Sequence, residues 1–143
     1  MEYYNTEIGI VQIIYDKKII TSITFLDDKK KIISTDMKFA ELCKKIKKYK
    51  YSQEGTEFQK TVWKEIERIP FGETRTYQQI AENINRPNSY RAVANACGKN
   101  NLALLIPCHR VTSKNDIGGY KWNINRKIKL LEFENQNIDY KIA

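Results

Sequence analysis

No stretch of the chain approaches the roughly 20 apolar residues needed to span a bilayer. Met1 to Gly9 lacks the basic-then-apolar layout of a secretory signal. The three cysteines, Cys43, Cys97 and Cys108, are an odd number without a CxxC pair. That argues against a disulfide framework and against a self-contained zinc knuckle. There are no internal repeats and no low-complexity tracts, and histidine occurs once, at His109. These absences lead us to expect a cytoplasmic protein, off the membrane, with no metal and no other cofactor.

What is present is charge. The 143 residues include 25 Lys and Arg against 17 Asp and Glu, a formal net charge of +8. A composition 41% hydrophobic and 29% charged reads as globular, either one ordinary domain or two small ones. The positive excess favours a polyanionic partner, nucleic acid or a membrane surface. A solvated, lysine-rich surface accounts for the charge alone equally well.

Ile10 to Tyr15 and Ile19 to Leu26 are rich in β-branched residues and flank Asp16-Lys17-Lys18, which predicts a β-hairpin. A basic, polar stretch follows, Asp27 to Lys31. Phe39, Leu42, Ile46 and Tyr49 fall at helical spacing, with Asp36 as the expected N-cap. From Gln53 the texture changes. Thr56-Glu57-Phe58-Gln59 fits a capping box, followed by an apolar stripe of Phe58, Val62, Ile66 and Ile69 that Pro70 closes. Thr76-Tyr77-Gln78-Gln79 is a second capping box, and Ser89 is placed to cap a further helix that ends at Gly98. Two short helices joined by a brief turn fit a helix-turn-helix. Leu102 to Pro107, wholly apolar, reads as a buried extended segment. The last helix, Ile124 to about Asn135, sets Ile124, Ile128 and Leu131 on one face. The expected fold class is α+β, with a small front piece, 1–52, and a mainly helical back piece, 53–143.

His109 adjoins Cys108 at the end of the apolar segment. A cysteine is nucleophilic only as thiolate, and its usual pKa of about 8.5 must be overcome by a base or a positive charge. An imidazole can take that proton directly or through a water, and it needs an orienting acceptor in turn. Glu134, three residues after Leu131, is the carboxylate placed to serve. Taken by themselves, the three residues read first as an inert buried cysteine, serving as a small hydrophobe, and a solvated glutamate. Cys43 and Cys97 sit on helix faces with no base nearby.

The wider pattern decides between these readings. Pro107-Cys108-His109-Arg110-Val111, following Ile106, resembles the active-site signature of the O6-alkylguanine-DNA alkyltransferases. The likeness runs from about Thr56 to Glu134. It includes Phe71-Gly72-Glu73-Thr74, Tyr77-Gln78-Gln79, Arg91-Ala92-Val93-Ala94, Asn100-Asn101-Leu102-Ala103, Gly119-Tyr120-Lys121-Trp122 and Arg126-Lys127. It is strongest to the C-terminal half of bacterial Ada, and the front hairpin is similar to the family's ribonuclease-H-like N-terminal domain. The resemblance implies stoichiometric, irreversible transfer of an alkyl group from O6-alkylguanine, and from O4-alkylthymine, to Cys108 after nucleotide flipping. It implies a monomer on double-stranded DNA, entering by the minor groove. Cys108 would be the acceptor, His109 its base through a water, and Glu134 the orienter of His109. Tyr77 would turn and bond the base, Arg91 would fill the gap in the stack, and Asn100 would tie the recognition helix to the active-site strand. Tyr120 and Lys121 belong to the loop that walls the base pocket. Arg110 and Val111 complete the DNA- and base-binding set, backbone groups near Cys108 and Val111 reading the guanine edge.

The chain departs from the family in places. Its front piece is shorter than usual, and Cys43 alone cannot hold the zinc some relatives bind there. Nothing in the 143 residues resembles the methyl-phosphotriester module or the regulatory half of Ada, so no transcriptional role is expected. Asn123 stands where glycine is common, and Lys121 replaces a small residue. The rival readings are a lesion-binding protein that transfers nothing, a helix-turn-helix regulator and a Cys-His hydrolase.

Overall fold

The computed structural model describes residues 1–27 and 32–136. Part of the basic stretch expected at Asp27 to Lys31, and the back piece from residue 137 onward, lie outside them. The fold is α+β, and the chain divides into two compact units. One comprises Met1–Glu54 together with Asn101–Leu105, the other Gly55–Asn100 together with the chain from Ile106 onward.

The first unit is built on the expected hairpin. Strands β2 (Gly9–Asp16) and β3 (Ile19–Leu26) pair antiparallel. Lys17 and Lys18 join them at φ 51° and 70°, the left-handed pair that a two-residue turn of this hand requires. Val11 and Ile13 of β2 and Ile20, Ile23 and Phe25 of β3 are buried. Strand β1 (Glu2–Thr6) runs antiparallel to β2, while the two-residue strands β4 (Thr35–Asp36) and β5 (Lys50–Tyr51) lie parallel to β1 and β3. The sheet order is β4-β1-β2-β3-β5.

Helix α1 (Phe39–Ile46) buries Phe39, Leu42 and Ile46. Asp36 does not cap it. Asp36 lies in β4, where its carboxylate accepts from Asn5 Nδ2 at 3.1 Å. Glu7 supplies the missing acceptor, taking the Phe39 amide at 2.8 Å. Tyr49 lies beyond the helix end, its ring 5.2 Å from that of Tyr15.

The apolar run from Leu102 is not extended as expected. Leu102 bridges Ile23, whose amide donates to the Asn101 carbonyl at 2.9 Å and whose carbonyl accepts from the Ala103 amide at 3.0 Å. The chain then turns through Ala103–Leu105, with Leu104 at φ 76°. Leu102 and Ala103 are fully buried. The apolar run encoded burial, and only Leu102 of it pairs with the sheet.

The second unit is mainly helical. Both capping boxes form: Thr56 with Gln59 opens α2 (Glu57–Glu67), and Thr76 with Gln79 opens α3 (Tyr77–Asn83). Helix α4 (Tyr90–Gly98) begins after Ser89, whose side chain makes no capping bond. Trp63 of α2 donates its indole N–H to the Ala96 carbonyl of α4 at 2.9 Å, and α3 packs against α4. The short strands β6 (Arg75–Thr76) and β7 (Val111–Thr112) pair in parallel. Cys108–Arg110 form a single 3-10 turn immediately before β7, so the β6–β7 pairing sets Tyr77, the first residue of α3, beside the segment that carries Cys108.

Helix α5 (Ile124–Gln136) turns a different face inward from the one expected. Ile124 and Ile128 are exposed, whereas Lys127, Leu130 and Glu134 are buried. Glu134 is therefore inside, but it does not extend an apolar stripe. It shares its face with a buried lysine, and hydrogen bonding rather than hydrophobicity selects that face.

Candidate active site

Cys108 is 4% exposed and lines a cavity of about 790 Å³ with Tyr77, Cys97, Gly119, Tyr120 and Lys121. Asn100, fully buried just after α4, donates from Nδ2 to the Ile106 carbonyl at 3.0 Å and to Cys108 Sγ at 3.4 Å. The Cys108 thiol also lies in hydrogen-bonding reach of Cys97. That contact, followed by burial, pushes the thiol well above its ordinary value, while Asn100 and the charge of Lys127 pull it back. The resting sulfur is a thiol.

His109 is 1% exposed, and its Nε2 lies 2.6 Å from Glu134 Oε2. Burial pushes the imidazole below its usual value, against the pull of Glu134, and Arg110 and Lys127 push it the same way. The ring is neutral at neutral pH. The carboxylate then requires the proton on Nε2, which leaves a bare lone pair on Nδ1. Nδ1 is buried and has no hydrogen-bond partner among the described residues.

Burial alone would raise the Glu134 carboxyl. The His109 hydrogen bond and the Arg110 guanidinium instead hold it at about 2. Arg110 grips it as a fork, Nε to Oε1 at 2.8 Å and Nη2 to Oε2 at 2.9 Å, and its Nη1 donates to the Ile69 carbonyl at 2.8 Å. Such bidentate, charge-assisted pairs fix direction as well as distance. The Gly72 amide adds a donor to Oε1 at 3.3 Å. Arg110, grouped by resemblance with the base-contacting residues, thus has all three guanidinium nitrogens engaged within the protein.

The other expected residues surround the cavity unevenly. Tyr77 is half-buried in its wall. Gly118, at φ 73°, packs against it: an added Cβ would lie 3.0 Å from the Tyr77 hydroxyl and 3.1 Å from the Ser113 amide. Any side chain there would strain the backbone and crowd both neighbours, which favours glycine. The Tyr120 ring stands edge-on to His109, centroids 6.4 Å apart, and its buried hydroxyl has no partner among the described residues. Lys121 donates to the Asn100 carbonyl at 3.0 Å and lies over the Trp122 ring. Asn123 adopts φ 87°, the region that suits glycine and that asparagine tolerates, so the exchange at this position leaves the turn intact. Val111 is fully buried. Arg91 is outside the cavity, exposed on the first turn of α4, its guanidinium 5.8 Å from the Tyr90 ring.

Two residues of the site escaped sequence reasoning. Lys127 is fully buried, with Nζ donating to the Val111 carbonyl at 2.6 Å and the Gly119 carbonyl at 2.9 Å. It ties β7 to the loop before Tyr120. Burial brings its ammonium down to about 8 against the attraction of Cys97, Cys108 and Asp116. Its spacing of seven from Glu134 places both on one helix face, and that was the available signal. Cys97 is the other, and its contact with Cys108 is purely tertiary. Among the described residues no group of three or more His, Cys, Asp or Glu is placed to hold a metal, and no helix is long and apolar enough to cross a membrane.

Residues 57–136 match the family model for the DNA-binding domain of 6-O-methylguanine DNA methyltransferase. The chain belongs to the 6-O-methylguanine DNA methyltransferase family. The match takes in Tyr77, Arg91, Asn100, Cys108, His109 and Glu134. A mimivirus relative, named "Probable methylated-DNA–protein-cysteine methyltransferase", is 44% identical over 96% of this chain and 97% of its own. The Ada protein of Escherichia coli is 49% identical over 58% of this chain, but that match covers only 24% of Ada. Among solved structures, the Mycobacterium tuberculosis OGT in complex with DNA superimposes with a TM-score of 0.78. It is 31% identical, over 95% of this chain and 94% of that one.

Proposed function

We propose that this methyltransferase-family chain repairs DNA directly, accepting an alkyl group from O6-alkylguanine, and from O4-alkylthymine, onto Cys108. The observation that carries the proposal is the buried relay beside the acceptor. A neutral His109 has a bare Nδ1 and holds its other nitrogen on Glu134, itself clamped by Arg110. His109 takes the Cys108 proton through an intervening water as the sulfur attacks the alkyl carbon. The S–C bond forms, the C–O6 bond breaks, and the released guanine takes up a proton at N1. The thioether is inert, so each molecule acts once.

Guanine O6 lies inside the duplex, so the nucleotide must first swing out, at a cost of a few kcal/mol of unstacking. The cavity receives the base. Tyr77 bonds it, the loop of Tyr120 and Lys121 walls it, and backbone groups near Cys108 and Val111 read its edge. Arg91 fills the gap left in the stack from the start of α4, which enters the minor groove. That groove distinguishes sequences poorly, which suits a protein that must act anywhere. Arg110 orients Glu134 rather than reaching DNA. The back piece, 53–143, carries both the DNA contacts and the acceptor, and the protein works as a cytoplasmic monomer.

Cys108→Ser tests the assignment. It should abolish transfer from a methylated duplex while keeping a preference for the lesion in binding. Retained transfer in this variant would end the proposal. If wild type instead bound the lesion and transferred nothing, the chain would be a damage sensor.

A further inference from the structure

Alkyl transfer uses Cys108 but gives no work to the cysteine beside it. Cys97 lies in the last turn of α4, half-buried, and lines the same cavity as Cys108. Both cysteines line that one cavity, Cys97 is the largest single influence on the Cys108 thiol, and no disulfide joins them. Asn100 Nδ2 holds Cys108 Sγ at 3.4 Å, so the acceptor sulfur is fixed between an amide and a second thiol. Cys97 brings no base to the reaction, and its contact opposes formation of the Cys108 thiolate. Two thiols facing one cavity are, however, suited to a different chemistry.

We propose that Cys97 is a resolving thiol that closes a reversible disulfide with Cys108 when a hydroperoxide enters the cavity. The reading rests on Cys108 being the alkyl acceptor. In the first step one thiol gives up its proton to the departing peroxide oxygen and its thiolate sulfur attacks the other. An S–O bond forms, the O–O bond breaks, and a sulfenic acid and an alcohol result, or water when the oxidant is hydrogen peroxide. In the second step the other sulfur attacks the sulfenic sulfur. The S–S bond forms, the S–O bond breaks, and hydroxide leaves with the second thiol's proton as water. Two thiols are oxidised by two electrons and one peroxide is reduced. A sulfenic acid without a partner proceeds to sulfinic and sulfonic acids, which thiols do not reverse. For a molecule that works once, that oxidation would destroy the acceptor before any lesion was met. The disulfide stores it instead, and a dithiol reductant returns it.

The test uses the whole protein, treated with hydrogen peroxide in the absence of DNA. Non-reducing peptide mapping of wild type should find Cys97 linked to Cys108. Transfer capacity should be lost and then recovered on adding dithiothreitol. In Cys97→Ser, with Cys97→Ala as a second variant in case the first folds poorly, Cys108 should reach the sulfinic and sulfonic acids and the loss should persist after dithiothreitol. Each protein is scored against its own untreated capacity. A Cys43→Ser protein should behave as wild type. Equal irreversible loss with and without Cys97, a link through Cys43, or no link at all would overturn the proposal. If the link forms and transfer capacity is untouched, it is the assignment of Cys108 as acceptor that fails.

Discussion

A carboxylate at Glu134 is buried among donors that leave it little freedom to protonate. The imidazole, the forked guanidinium and the Gly72 amide all favour its charged form. With its carboxyl held at about 2 rather than 4.5, Glu134 contributes stability that is fully present above the unfolded value and lost as pH falls through the folded one. The size is on the order of 3 kcal/mol. Denaturant unfolding of wild type and Glu134→Gln should therefore diverge at mildly acid and neutral pH and converge towards pH 2. Parallel curves over that window would remove the ion pair from the account. The same substitution should slow transfer and raise the apparent pKa of Cys108, because the imidazolium formed when the thiol ionises loses its counter-charge. If thiol titration of the variant matched wild type, His109 would be held by something other than Glu134.

At the scale of elements, α3 is the piece whose placement matters most for its length. Thr76 caps it and also ends β6, so one residue sets both the helix start and its distance from β7. Thr76→Ala should cost about 1 kcal/mol of stability, and it should weaken transfer beyond that loss because Tyr77 is the next residue. A variant that loses stability but transfers as wild type would detach the cap from the site. In α4, Arg91→Ala should slow repair of a duplex lesion more than reaction with a free O6-alkylguanine, which has no stack to leave. Equal slowing of both would remove the gap-filling role.

The capped helices were legible in the sequence because a hydroxyl and an amide three residues apart are a local signal. The hairpin was legible because two β-branched runs flank a short turn. The strands β4 and β5 were not legible, since two residues carry no periodicity and only their partners define them. The inner face of α5 was misread for a related reason. Ile124, Ile128 and Leu131 made the apolar count, while the buried positions Lys127 and Glu134 are charged and go inside only because carbonyls, an imidazole and a guanidinium await them. Cys108, His109 and Glu134 were named from the motif and the resemblance. The clamp from Arg110 to Glu134 and the neighbour Cys97 needed tertiary structure.

For the molecule as a whole, the excess of 25 cationic over 17 anionic side chains should govern its affinity for undamaged duplex. Binding should be weak, indifferent to sequence and steeply salt-dependent, because phosphate contacts release counterions. An isotherm unchanged from low to physiological salt, or a strong preference for one sequence, would contradict that. The central claim is that one protein molecule accepts one alkyl group at Cys108, and intact-mass and peptide mapping after incubation with an excess of O6-methylguanine duplex tests it most directly. The peptide holding Cys108 should gain a single methylene, those holding Cys43 or Cys97 none, and no more lesions should be repaired than protein molecules are present. Repeated turnover, a methyl group on another cysteine, or no mass change while lesions disappear would contradict it.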